Sequence, residues 1–287
     1  MTSNNQTQGA DMNNIRKLAF IGGGNMAAAL IGGLTKRGLA RERIVVSDPN
    51  REQIERLVRD YGVTAAADNR GAVDGAEVVI LAVKPQQMRS VALGLAPHLP
   101  ASAPLVISIA AGIPHAALTR WFGARTAVVR TMPNRPALNG FGATGLYAPP
   151  SVGAANRALA ESILAAVSAT VWVEHESQMD TVTALSGSGP AYFFLFMEAL
   201  EAAAHARGLP NEIAHKLTLE TAFGASQMAR LSSESLGTLR EQVTSKGGTT
   251  AAALDVLDAA GLRAIVAHAV AAADRRSAEL AAEYAAP

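Results

Sequence analysis

Up to about residue 173 the chain alternates short apolar runs with stretches whose apolar residues recur at helical spacing. Residues 17–21 predict a strand. Residues 25–37 predict a helix with Met26, Leu30 and Leu34 on one face and Gly38 as its stop. A second strand is expected over 43–47, then a helix over 50–61 whose Ile54, Leu57, Val58 and Tyr61 form one apolar stripe. Residues 78–83 and 105–109 are continuous apolar runs, the kind buried on both faces of a parallel sheet. Further strands are expected over 127–131, 145–148 and 170–173. Strands alternating with helices predict a doubly wound α/β domain. After Glu174 the strand signal ends. Residues 179–207, 211–231 and 249–283 carry helical patterns, the first interrupted by Gly187, Gly189 and Pro190, where a kink is expected. The second part of the chain is therefore expected to be all-α.

Composition narrows the classes. A length of 287 residues suggests two domains at roughly 150 residues each. With 25 Lys and Arg against 24 Asp and Glu, no strongly basic face is implied, and nucleic acid is a poor guess for a partner. There are no cysteines, which excludes disulfides, thiolate metal sites and a cysteine nucleophile. That fits a reducing compartment, and the expected localisation is cytoplasmic. None of the six histidines has metal-ligand spacing with another histidine or an acid, so no metal is expected. Residues 18–34 are uncharged, but they fall short of the roughly 20 apolar residues of a membrane span and are interrupted by Gly22, Gly23, Gly24 and Asn25. No membrane partner is expected. Residues 1–14 lack the basic start and apolar stretch of a signal peptide and read as a disordered tail.

The segment Gly22-Gly23-Gly24-Asn25-Met26-Ala27 matches G-x-G-x-x-A. The first glycine makes the tight turn, the second lets backbone approach a pyrophosphate, and the small Ala27 lets helix and strand pack closely. The pyrophosphate then sits at the positive end of the helix. The motif follows a strand and opens an amphipathic helix, the context that gives it meaning. It points to a nicotinamide dinucleotide, NADPH or NADH. The end of the second strand leaves the form open. Asp48 can accept from a ribose 2′-hydroxyl, whereas Ser47, Asn50 and Arg51 can hold a 2′-phosphate. Asp48 before Pro49 also reads as an ordinary helix cap with proline in the first turn.

Ala82, Val83, Lys84 and Pro85 end a buried strand, at the sheet edge where ligands sit in open α/β folds. Ser108, Ile109 and Ala110 end the next with room for close approach. Met132, Pro133 and Asn134 end another and can line the nicotinamide. In the helical part, Thr244-Ser245-Lys246-Gly247-Gly248-Thr249-Thr250 opens the last long helical stretch. Two glycines before a helix leave backbone N–H groups and a helix dipole to face a carboxylate. The same residues also read as a glycine loop capped by Ser245 or Thr249. Gly187-Ser188-Gly189 lacks the strand-to-helix elbow of a serine hydrolase, and its flanks are helical.

Five stretches together resemble the pyrroline-5-carboxylate reductase family: Phe20-Ile21-Gly22-Gly23-Gly24-Asn25-Met26, Ala82-Val83-Lys84-Pro85-Gln86, Arg130-Thr131-Met132-Pro133-Asn134, Ala184-Leu185-Ser186-Gly187-Ser188-Gly189-Pro190-Ala191-Tyr192 and Val243-Thr244-Ser245-Lys246-Gly247-Gly248-Thr249-Thr250. They run in the family's order from residue 16 to about 275. The first is shared with many dehydrogenases and the last two are specific. Lys246 stands where the family often has proline.

The resemblance implies NAD(P)H-dependent reduction of 1-pyrroline-5-carboxylate to L-proline, the last step of proline biosynthesis. It implies a Rossmann-type domain over 15–174 and an all-α dimerisation and substrate domain over 175–287, assembled as a homodimer at least and often as larger rings, commonly decamers. It places cofactor contacts on residues 22–27, Ser47, Asn69, 82–85 and 108–110, and the substrate loop on Ser245, Gly247, Gly248, Thr249 and Thr250. Thr250 is the candidate catalytic residue, through a hydrogen bond to the ring nitrogen. A rival reading is a β-hydroxyacid dehydrogenase or imine reductase of similar plan. Hydroxyacid enzymes of that plan use a lysine in the second domain's long helix, and no lysine lies between Lys84 and Lys216. A non-catalytic NAD(P)-sensing regulator would need no substrate loop.

Overall fold

The computed structural model describes residues 12–285. Eight strands form one sheet in the order β3-β2-β1-β4-β5-β6-β7-β8. They are β1 (Leu18–Ile21), β2 (Ile44–Ser47), β3 (Thr64–Ala65), β4 (Val78–Leu81), β5 (Leu105–Ser108), β6 (Val128–Met132), β7 (Gly142–Tyr147) and β8 (Ser168–Trp172). β1, β2, β4 and β5 are buried along their whole length, as expected for uninterrupted apolar runs with helices on both faces. One face packs Phe20, Leu30, Leu34 and Ile80. The other packs Ile21, Leu81, Met88 and Trp121.

Between the strands lie α1 (Asn25–Lys36), α2 (Arg51–Tyr61), α3 (Asn69–Val73), α4 (Pro85–Leu95), α5 (His115–Phe122) and α6 (Ala154–Leu164). Within α2 only Leu57 is fully buried. Val58, expected on the apolar stripe, is 39% exposed, because the buried arc of this helix is narrower than its apolar residues suggest. The sheet also departs from uniform parallel winding. β7 runs antiparallel to β6, with Arg130 opposite Tyr147. Only a short 3-10 turn, Arg135–Asn139, joins them, and a parallel return needs a longer crossover.

The described chain divides into two compact units. One comprises the residues up to Ser188 together with those from Ala273 onward; the other is Gly189–Ala272. The boundary expected after Glu174 falls earlier than this division. The reason is packing: α7 (Gln178–Val182) and the π-helical turn Thr183–Gly187 bury Met179 and Ala184 in the first unit. The kink expected near Gly187 is this π turn, closed by the Ser188 N–H on the Thr183 carbonyl at 2.9 Å. The tail expected over 1–14 lies outside the described residues as far as 11. From Met12 the chain is already ordered in a 3-10 turn, with Met12 in the core.

The second unit is helical: α8 (Gly189–Ala206), α9 (Asn211–Leu231), α10 (Leu236–Gln242), α11 (Thr249–Ala259) and the first part of α12 (Leu262–Ala285). The single helix expected over 249–283 is two helices, because Gly261 takes φ +76° and breaks it. Among the described residues no single helix is long and apolar enough to cross a membrane, and no group of three or more His, Asp or Glu is placed to hold a metal ion.

Candidate active site

Strand register builds the first site. Ser47, Ile21, Leu81 and Ser108 pair in one row across β2, β1, β4 and β5. The residues after them therefore emerge together at the carboxyl edge, where ligands bind in such sheets. The glycine turn is wedged into this edge. Gly22 donates its N–H to the Ser47 carbonyl at 2.8 Å and holds φ +101°. A Cβ there would sit 2.5 Å from the Ala82 carbonyl oxygen, so the turn and β4 approach as only glycine allows.

Gly24 differs. Its φ of −68° suits any residue, and a Cβ would meet nothing nearer than the Gln53 side chain at 3.9 Å. Neither conformation nor packing within the chain asks for glycine here. The space beside it is a cavity of about 500 Å³ lined by Gly24, Asn25, Asn50, Gln53, Arg56 and Arg59 among others. No side chain caps α1, and the amides of Asn25, Met26 and Ala27 find no acceptor among the described residues. Unpartnered amides, open space and a helix dipole suit a diphosphate. The Gln53 side-chain oxygen is buried without a partner beside the same turn. These residues fit a dinucleotide.

Asp48 is not the cap of α2. One carboxylate oxygen accepts from the Gly23 N–H at 2.7 Å, the other from the Asn50 N–H at 2.7 Å. The cap of α2 is Asn50, whose side chain accepts from Glu52 and Gln53 amides. Asp48 is thus a brace between the glycine turn and the start of α2, and Pro49 precedes the helix. Arg51 is exposed at the first position of α2. Ser47 and Asn69, separated by 22 residues, meet at 2.8 Å through Oγ and Oδ1. Asp68 caps α3 on the Gly71 N–H and so orients Asn69.

At the ends of β4 and β5, Ala82 and Val83 are half-buried, and Lys84 is exposed, its ammonium without a hydrogen bond or ion pair among the described residues. Pro85 starts α4. Ser108 is wholly buried, with its hydroxyl accepting from the Ala110 N–H at 3.4 Å, while Ile109 is half-buried. The β6 end turns elsewhere. Asn134 donates to the Ser186 carbonyl at 3.0 Å and accepts from the Ala143 N–H at 2.9 Å, so its amide joins the strand to the π turn. Met132 packs on Gly187, where a Cβ would come within 2.6 Å of its methyl carbon. Pro133 is buried beside them.

Sequence reasoning missed two connections. Tyr284 accepts a hydrogen bond from Gln86 at 2.9 Å across 198 residues. Arg130 is buried on β6 and bonds Glu176 at 2.8 Å, with Asp180 at 3.9 Å. The same Glu176 oxygen accepts from the backbone N–H of His115 at 2.5 Å. Burial pushes the His115 imidazole below its ordinary pKa, a tendency that Arg130 reinforces and Glu176 opposes.

The second site lies in the helical unit. Residues 245–248 form a turn closed by Gly248 N–H on the Ser245 carbonyl at 3.0 Å, with Gly247 at φ +70°. Gly248 is the N-cap of α11, and no side chain caps it, so neither Ser245 nor Thr249 plays that part. The amides of Thr249, Thr250 and Ala251 have no partner among the described residues. The Thr250 and Lys246 side chains are exposed and make no hydrogen bond or ion pair among the described residues. The start of α11 can therefore receive a carboxylate through backbone alone.

Known proteins resemble this chain over nearly its whole length. Residues 176–280 match the family model described as pyrroline-5-carboxylate reductase dimerisation. Residues 17–112 match the model described as NADP oxidoreductase coenzyme F420-dependent. A pyrroline-5-carboxylate reductase of Pseudomonas aeruginosa is 49% identical over 92% of this chain and 97% of its own. The solved structure of one from Coxiella burnetii superposes with a TM-score of 0.90 at 42% identity, covering 93% of this chain and 99% of that one. The Plasmodium falciparum enzyme, solved with NADP bound, gives 0.82 at 29% identity over 94% and 100%. With relatives this similar over nearly the whole length, the chain belongs to the pyrroline-5-carboxylate reductase family.

Proposed function

We propose that NAD(P)H lies across the carboxyl edge of β1, β2, β4 and β5, with its pyrophosphate at residues 22–27, and that residues 245–250 hold the substrate's carboxylate. The protein is an NAD(P)H-dependent oxidoreductase that reduces 1-pyrroline-5-carboxylate to L-proline. The observation that carries the assignment of sites is the pair of uncapped helix starts, α1 and α11, each opened by glycine and each with unpartnered amides.

The chemistry asks little of acid–base side chains. A hydride adds to the imine carbon and one proton ends on the ring nitrogen, so C=N becomes CH–NH. The dihydronicotinamide supplies the hydride. The chain's own work is to bind and align. Backbone amides at the start of α11 fix the carboxylate, and alignment of two reactants alone removes several kcal/mol of barrier. The Thr250 hydroxyl, without a partner among the described residues, bonds the ring nitrogen. Asp48 and Ser47 with Asn69 hold the glycine turn and the β2 edge in shape around the adenosine half.

The chain forms homo-oligomers. On this reading the helical domain interlocks two copies and the dimers build rings of the decamer type. The protein works in the cytoplasm, and its near-balanced charge argues against nucleic acid as a partner. The experiment is turnover of NADH and NADPH with and without pyrroline-5-carboxylate. Oxidation should depend strictly on the imine. A folded sample that binds NAD(P)H yet turns over neither cofactor overturns the assignment.

A further inference from the structure

The chain's last turns return to the sheet unit. Ser277 donates to Asp180 at 2.7 Å, Thr181 to Asp274 at 2.8 Å, and Arg120 to the Ala285 carbonyl at 2.9 Å. At the end of this strap stands Tyr284. Its hydroxyl accepts from the Gln86 amide at 2.9 Å, in the first turn of α4. Its ring lies against Gly112, where a Cβ would sit 3.3 Å from Cδ2 and where φ is +70°. Tyr284 also packs on the buried cluster that includes Ala110 and Ile113.

These contacts fall on the start of α4 and on the loop after β5. Gln86 follows Lys84 and Pro85 at the β4 end, and Gly112 follows Ser108, Ile109 and Ala110 at the β5 end. The ring meets the β5 loop at Gly112 and the hydroxyl reaches the Gln86 amide at the start of α4, so one side chain spans the gap between them. We infer that Tyr284 is a positioning residue for the cofactor: by bridging Gln86 and Gly112 it holds the start of α4 and the β5 loop at the separation that NAD(P)H requires. The inference rests on the placement of the cofactor at this edge.

The role predicts a split between the two substrates. Tyr284→Phe keeps the ring and removes the hydroxyl, and should weaken NAD(P)H binding about three- to tenfold, the size of one net hydrogen bond. Tyr284→Ala should weaken it further. In both, kcat and the KM for pyrroline-5-carboxylate should stay within about twofold, below the effect of one hydrogen bond. Gln86→Leu should match Tyr284→Phe, and the double variant should be no worse than either, because both remove the same bond. Affinity is read by fluorescence titration of NAD(P)H and folding by thermal unfolding, with Gly24→Val as the control for the site. A fall in Tm with unchanged NAD(P)H affinity in both Tyr284 variants overturns the inference and leaves the cofactor site standing, provided that Gly24→Val weakens binding. If Gly24→Val binds NAD(P)H normally, the cofactor lies elsewhere and the inference falls with it.

Discussion

A side chain on Gly22 would put its Cβ 2.5 Å from the carbonyl oxygen of Ala82, closer than any Cβ and backbone atom approach in practice. Two residues on, Gly24 has no such neighbour. The two glycines therefore answer to different partners, one to the fold and one to a ligand, and substitution separates them. Gly22→Ala combines φ +101° with a backbone collision and should cost on the order of 2–4 kcal/mol in denaturant unfolding. Gly24→Val should leave stability within about 0.5 kcal/mol while NADH and NADPH affinity fall together. Loss of stability at Gly24 with cofactor affinity intact would reverse these assignments.

Asp48 tests how the turn is held. Its two oxygens brace the Gly23 and Asn50 amides. Asp48→Ala leaves those donors unmet and should destabilise the protein by about 1–3 kcal/mol. Because the brace serves the turn, affinity for NADH and NADPH should drop by similar factors. A selective loss of NADH would show instead that the carboxylate contacts the ribose 2′-hydroxyl.

His115 links stability to pH. Its Nε2 lies 3.2 Å from the Val128 carbonyl and its Nδ1 3.3 Å from the Thr119 hydroxyl, an arrangement that the neutral ring satisfies with the proton on Nε2. Burial is the main reason that the folded-state pKa lies below the ordinary 6.5. The unfolded chain thus binds the proton more readily. Its contribution is fully present above about pH 6.5 and is lost as pH falls through that value toward the folded pKa. In His115→Gln, ΔG of unfolding measured from pH 7 to 5 should fall less steeply than in the wild type. Parallel slopes would remove His115 from the acid response.

On α8, Phe193, Phe194 and Leu195 are 68%, 60% and 67% exposed in the single chain. Such apolar area needs a second copy over it. The Tm of the wild type should rise with protein concentration, as mass action requires when folding and association are coupled. Phe193→Glu should lower the mass seen by light scattering. A wild-type Tm independent of concentration, with a monomer mass, would contradict this.

Legibility in the sequence followed the range of the interactions. The turn from β1 into α1 was readable because its glycines and its apolar strand are contiguous. The carboxyl edge was readable because each buried strand announces its own end. β3 and α3 were not, since Thr64–Ala65 is exposed and two residues long and α3 contains Gly71. The antiparallel β7 depends on the length of one connection, and the break at Gly261 on a single φ. Asp48 was legible as a ligand or a cap but not as a brace, because its Gly23 partner lies 25 residues away. The Gln86–Tyr284 contact has no local signature at all.

The sharpest test concerns Thr250. Its side chain at the start of α11 has no hydrogen-bond partner among the described residues, so removing it breaks no bond among them. The carboxylate grip proposed for the turn uses the amides of Thr249, Thr250 and Ala251, which alanine keeps. What alanine removes is the hydroxyl, and with it a hydrogen bond to the ring nitrogen, whose bonding changes as the imine is reduced. An interaction made mainly in the transition state lowers kcat and kcat/KM by similar factors and leaves KM little changed. Loss of one such bond should cost about 1–3 kcal/mol, or roughly ten- to a hundredfold in rate. Thr250→Ser retains the hydroxyl and should recover much of that rate, while both variants should unfold at the wild-type midpoint. The measurement is steady-state kinetics at saturating NAD(P)H. A rise in KM with kcat intact would reduce Thr250 to a binding contact, and no change in either constant would make it an ordinary first-turn residue.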